Sequence, residues 1–217
     1  MQPISRSNNF LYLFAALVVT LFASAVTSQF PDGWLDGLFS VVIVAMLPVG
    51  VKSLHTDTAW RRIVYALAVA LVALQLLVHF YPSRVTLLLI YGALLLFFLG
   101  SFKAAVRLIL FEGEVDGNKM VGSLSLYLLI GLIWAMIYLI VLVFDPTAFE
   151  GIETGEWRHL FFRVTYYSYV TLTTLGYGDI VPNSPIAEFF TSMEAVTGVF
   201  YTAVFVSSLI NLRGGKR

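Results

Sequence analysis

The chain has 217 residues, 59% of them hydrophobic and 12% charged, with a mean hydropathy of +0.87. A soluble domain carries about a quarter charged residues, so this composition excludes a water-soluble globule and points to a membrane protein. Its 13 basic and 13 acidic residues cancel, leaving no basic face for nucleic acid, and the lack of cysteine removes disulfides and thiolate chemistry.

Six apolar stretches follow one another along the chain: roughly Phe10 to Thr27, Trp34 to Val51, Ile63 to Phe80, Val85 to Phe102, Val121 to Phe144 and Ile186 to Leu212. Each approaches the ~20 apolar residues that a spanning helix needs, so an all-α fold of six transmembrane helices is expected. The first resembles a signal peptide in having Arg6 before it and Ala23-Ser24-Ala25 near its end. Its apolar run is longer than the roughly 7 to 15 residues of such a leader, and a retained helix is expected. The second has Asp36 near its start and Pro48 near its end, which predicts a short or kinked helix.

Basic residues bias short loops toward the cytoplasm. With the N-terminus inside, the inner segments hold Arg6, Lys52, Arg61, Arg62, Lys103, Arg107, Lys119, Arg213, Lys216 and Arg217, and the outer ones only Arg84, Arg158 and Arg163. Both termini are therefore expected in the cytoplasm of a multi-pass cell-membrane protein, with residues 145–185 outside. Ala104 to Phe111, followed by the acidic run Glu112 to Gly117, reads as an interfacial linker or a solvated loop between two halves. The division expected is a four-helix N-terminal unit (1–110), a cytoplasmic linker (111–120) and a C-terminal unit (121–217).

The fourth stretch contains no arginine; Arg84 and Lys103 stand at its two ends, where they can anchor at opposite interfaces. Asp36 and Asp57 likewise lie near helix ends. A voltage sensor needs several charges inside the field, so little voltage dependence is expected.

Between the last two stretches, Phe161 to Asp179 is too polar and broken to span, and reads as a re-entrant helix, about Phe161 to Thr173, followed by extended backbone. Such backbone survives at membrane depth only when buried in protein or lining a watery path. Gly176 and Gly178 alternate with Leu175 and Tyr177. Glycine takes left-handed angles without penalty, and left-handed angles at alternate residues bring successive carbonyls to one side. A potassium site needs such carbonyls in rings that replace the hydration shell, and one chain supplies a quarter of each ring. The Thr174 hydroxyl can serve as the innermost ligand, while Leu175 and Tyr177 turn outward to pack, with Tyr166 and Tyr167 as expected partners. The re-entrant helix points its C-terminal partial negative charge at the cavity.

The run Thr173-Thr174-Leu175-Gly176-Tyr177-Gly178-Asp179 resembles the potassium-channel signature, and Lys119 to Leu212 is similar to the bacterial potassium-channel family with one helix, pore loop, helix unit. The resemblance implies a passive potassium channel and a homotetramer around one filter. K⁺ would bind at Thr174, Leu175, Gly176, Tyr177 and Gly178, with K⁺ as permeant ion and no cofactor. It implies Asp179 as outer anchor of the filter, Thr173 at the cavity and Gly198 as a hinge in the inner helix. Leu175 stands where valine is commoner. Val170 stands where some members carry a glutamate that pairs with the aspartate, so Asp179 needs another partner.

For Gly198 a hinge and close helix packing both remain open. Glu194 is turned about 140° from Val199 around a helix, away from a cavity lined by Val199 and Thr202. A structural hydrogen bond to Ser168, Tyr169 or Thr171 and a proton-sensing role both remain open for it. Asp145, Glu150, Glu153 and Glu156 read either as cation-concentrating charges or as a solvated loop. The sequence holds no nucleophile and base pair, phosphate loop or paired catalytic carboxylates, and His55, His79 and His159 are not clustered. Enzyme activity is not expected. Lipid and copies of the chain are the expected partners.

Overall fold

A computed structural model describes residues 9–30, 34–54, 58–81, 83–111, 117–153, 155 and 157–214, except the side chains of 9, 34–36, 79, 110, 111 and 205–214. The elements in order are α1 (Asn9–Ser28), α2 (Trp34–Ser53), α3 (Thr58–Phe80), α4 (Arg84–Phe111), α5 (Gly117–Phe144), β1 (Phe149–Glu150), α6 (Trp157–Leu172), β2 (Val181–Pro182) and α7 (Pro185–Gly214). Four helical segments, Phe10–Ser28, Thr58–Val78, Arg84–Ile109 and Gly117–Phe144, are long and apolar enough to cross a membrane. In lipid a chain must pair its own backbone groups, and a helix does so within one segment. This is a multi-pass membrane protein, mostly helical among the described residues.

The second segment is indeed short in apolar terms, Gly37–Ser53, with Pro48 inside the helix. The segment Ala104 to Phe111 departs from expectation. It is not a break but the last turns of a continuous α4. The apolar residues between Lys103 and Arg107 suit a helix as well as a linker, and the segment packs: Ala105 is fully buried. The acidic run 112–116, Asp57 and the Asp36 side chain lie outside the described residues.

The N-terminal helices pack on this chain's own C-terminal unit. The largest contact is α4 against α5, and α1 lies along both α5 and α6. Close approach is set by small residues, as is usual between membrane helices. The Phe10 ring covers Gly122, where a Cβ would lie 2.9 Å from it, and the Trp60 ring covers Gly100, where a Cβ would lie 1.9 Å away. The Lys119 ammonium donates to the Ile109 carbonyl at 3.0 Å, capping the C-terminal end of α4. Between Arg84 and Lys103, α4 holds no charged residue.

Candidate functional site

The helix α6 starts four residues before the expected Phe161 and ends at Leu172. Phe161, Val164, Ser168 and Leu172 form its buried stripe at helical spacing. In its first turn Arg158 is fully buried, and its guanidinium donates to the carbonyls of Thr27 and Phe30 at the C-terminal end of α1. Those carbonyls carry the negative end of the α1 dipole, which suits a cation. The sequence placed Arg158 on the outer side but gave no sign of this partner 128 residues away.

After Leu172 the chain leaves helical geometry. The amides of both Leu175 and Gly176 donate to the Val170 carbonyl, at 2.9 and 3.3 Å. The backbone then takes φ of 58° at Thr174, 57° at Gly176 and 76° at Gly178. Left-handed angles thus recur at every second residue, with Leu175 and Tyr177 between them outside that region. The sequence pointed to the two glycines; Thr174 is the third member of the alternation. A threonine in this region is strained by ~1–3 kcal/mol, a cost typical of functional sites. All seven residues from Thr173 to Asp179 are exposed in the single chain, Leu175 by 54% and Tyr177 by 66%.

The two tyrosines separate. The Tyr166 hydroxyl is turned toward the Asp179 carboxylate and interacts with it. Tyr167 is buried against Tyr138 and Phe149, with its hydroxyl 2.8 Å from Thr191 Oγ1. Adjacent positions on a helix face directions about 100° apart, so only one of the pair can face the 173–179 stretch.

Asp179 has its substitute partners. Arg163 Nη2 lies 3.9 Å from Asp179 Oδ2 and donates to the Gly151 carbonyl at 2.9 Å, while its guanidinium sits 5.7 Å from the centre of the Tyr166 ring. Around them β1 pairs antiparallel with β2, Phe149 opposite Pro182 and Glu150 opposite Val181. The Asn183 amide donates to the Ala148 carbonyl at 2.7 Å. Gly151, at φ 84°, touches the Asp179 backbone so closely that a Cβ would lie 2.2 Å from its carbonyl oxygen. The loop between α5 and α6 therefore fastens the Asp179 end of the 173–179 stretch. Among the four acidic residues read in that loop, Asp145 caps Thr147, accepting from its amide at 3.0 Å and its hydroxyl at 2.7 Å. The side chain of Glu156 lies outside the described residues.

Glu194 is fully buried behind the stretch and bonds the hydroxyls of Ser168 on α6 and Tyr138 on α5. Ser168 was one of the expected donors. Tyr169 is turned to the Leu128 carbonyl instead, at 2.7 Å. The single Ser168 hydroxyl proton has two acceptors in reach, Glu194 and, at 2.7 Å, the Gly131 carbonyl. Three helices meet in this one cluster. Glu194→Gln is expected to keep it, because the amide can donate to Ser168 and accept from Tyr138. Glu194→Ala removes the acceptor of the buried Tyr138 hydroxyl and leaves Ser168 only the Gly131 carbonyl, and is expected to cost about 1–3 kcal/mol. Thermal unfolding of the purified protein separates the two variants, and equal melting temperatures for Ala and wild type would contradict this account.

Gly198 lies against the end of α6. A Cβ there would stand 1.9 Å from the Leu172 carbonyl oxygen, which also accepts from the Tyr127 hydroxyl at 3.1 Å. Of the two readings open from the sequence, close packing is the one with a contact to support it. Val199 and Thr202 are exposed in the single chain.

Residues 124–212, from within α5 to near the end of α7, match a family described as "Ion channel". A stretch of 84 residues is 34% identical to "Two-pore potassium channel 4" of Arabidopsis thaliana; it covers 39% of this chain and 28% of that relative's length. Both similarities are to ion-channel proteins, and the matched segment contains α6, the 173–179 stretch and Glu194.

Proposed function

We propose that this chain is one subunit of a homotetrameric, potassium-selective channel of a cell membrane. The observation that carries the reading is the alternation of left-handed backbone at Thr174, Gly176 and Gly178 directly after a helix C-terminus. Carbonyls turned to one side by that alternation, repeated in four chains around an axis, form stacked rings that replace a potassium ion's water. Thr174, Leu175, Gly176, Tyr177 and Gly178 supply the ligands, Thr173 faces the cavity, and Asp179, held by Arg163 and Tyr166, anchors the outer end. The exposed side chains of Leu175 and Tyr177 are then covered by neighbouring subunits. Four α6 C-termini converge on the cavity and favour a cation there.

In this reading α1 to α5 and α7 span, α6 is re-entrant, and both termini are cytoplasmic by the excess of basic residues on that side. The N-terminal unit (1–110) joins through a linker (111–120) to the pore unit (121–217). The relative's name supports potassium as the permeant ion. Conduction is passive, and no catalytic step is involved.

Purified protein in liposomes or planar bilayers tests this directly. Under opposed K⁺ and Na⁺ gradients the reversal potential is expected near the K⁺ equilibrium value. Barium, similar in size but doubly charged, is expected to block. The same recordings should show a shallow conductance-voltage relation. Each charge crossing 100 mV contributes about 2.3 kcal/mol, and steep gating needs several per subunit, whereas α4 carries none between Arg84 and Lys103. Equal permeability to sodium and potassium would overturn the proposal.

A further inference from the structure

Helices α2 and α4 barely touch, and α3 bridges them. Between the three lies a cavity of about 890 Å³, within the ~300–1,000 Å³ range of ligand sites. We propose that this cleft lodges the acyl chain of one membrane lipid, from the leaflet on the side of the 145–153 loop.

Three observations point to that occupant. No charged side chain lines the cleft among the described residues, and valine, leucine, isoleucine and alanine make up most of its wall. Ser40, Tyr65, Gln75 and Tyr91 add a few polar groups to a wall that is otherwise apolar, and the fluid around these helices is hydrocarbon. The cleft is also long. On α2 it runs from Gly37 to Pro48, and on α3 from Tyr65 to Val78. At 1.5 Å per residue those are about 16 and 20 Å, close to one leaflet's hydrocarbon depth, half of ~30 Å. Finally, its rim is open to the membrane, since the lining residues Val41 and Leu76 are 63% and 62% exposed.

One end of the cleft is closed by α6, through Trp157 and Leu160. The Trp157 ring packs at a tilt against Phe39 of α2 with ring centres 5.2 Å apart, and Phe39 in turn meets Phe161 at 5.5 Å. A chain in the cleft therefore rests against the first turn of the helix that precedes the 173–179 stretch. The inference depends on the membrane placement of the apolar helices and not on ion selectivity, so its failure would leave the filter reading intact.

The test is photolabelling of the full chain in phosphatidylcholine liposomes doped with phosphatidylcholine that carries a diazirine along its acyl chain. Adducts are mapped by mass spectrometry. In the wild type, adducts are expected on the interior residues Val44, Ile90 and Leu160 as well as on the lipid-facing Val69 and Leu89. Ala68→Phe fills the cleft from α3, and Ala45→Phe fills it independently from α2. Each is expected to reduce the interior adducts several-fold while leaving those on Val69 and Leu89 unchanged, which also reports that the helices are intact. Interior residues unlabelled in the wild type would overturn the proposal, as would interior labelling that both fillers leave untouched.

Discussion

Gly178→Ala is expected to abolish discrimination between potassium and sodium, bringing the permeability ratio toward one, or to prevent tetramers from forming. In the single chain nothing lies within 4 Å of a Cβ added there, so the penalty is not a collision. It comes from the backbone: φ is 76°, and an L-residue in the left-handed region is penalised by roughly 1–2 kcal/mol. In the proposed tetramer four subunits bear the change at once around one axis. Thr174 already occupies the same region as a non-glycine residue, so the stretch has little tolerance for a second. A relaxed angle at residue 178 would turn its neighbouring carbonyls out of the ring. Gly92→Ala is the control, being a glycine inside α4 that also has open space around its Cβ and is not at positive φ. Reversal potentials of the two variants against wild type decide the matter, and a Gly178→Ala channel with wild-type selectivity would remove the role assigned to the alternation.

Gly198→Ala is expected to lower the stability of the assembly as well as alter its conductance. The added Cβ would meet the Leu172 carbonyl oxygen at 1.9 Å, and that partner is backbone, which cannot swing aside as a flexible side chain would. Either α7 or the end of α6 must shift, and overpacking of this sort costs about 1–3 kcal/mol per subunit. Leu172 precedes the 173–179 stretch directly, so the displacement reaches that stretch, the proposed filter. A glycine acting only as a bending point would give a different result, with changed open probability and an unchanged melting temperature. Thermal dissociation of the purified assembly, measured beside single-channel recordings, tells these apart.

Much of this protein is decided locally and is therefore legible in its sequence. Long apolar runs must pair their own backbone groups in lipid, so they become helices where they stand. Gly176 and Gly178 declare their backbone angles because glycine alone takes them freely. Glu194 inside an apolar run announces a buried partner, since an unpaired acid there is expensive.

The choice among partners was another matter, and it depended on how each helix is rotated and on which distant segment lies beside it. Helix α5 is apolar all round, so it has no stripe to mark its inner face, and nothing in its sequence singles out Tyr138 as the donor to Glu194. Tyr166 and Tyr167 are chemically alike, and only the rotation of α6 sends one to Asp179 and the other to Thr191. Arg158 finds the end of α1, and Arg163 finds both Gly151 and Asp179, because the loop and the first helix are brought there by packing far along the chain. Lipid is as apolar as the helix surfaces themselves, so burial in this protein is fixed by close contact at Gly100, Gly122 and Gly198 and by buried hydrogen bonds. Those are properties of pairs of residues, which the tertiary structure brings together and no single stretch of sequence contains.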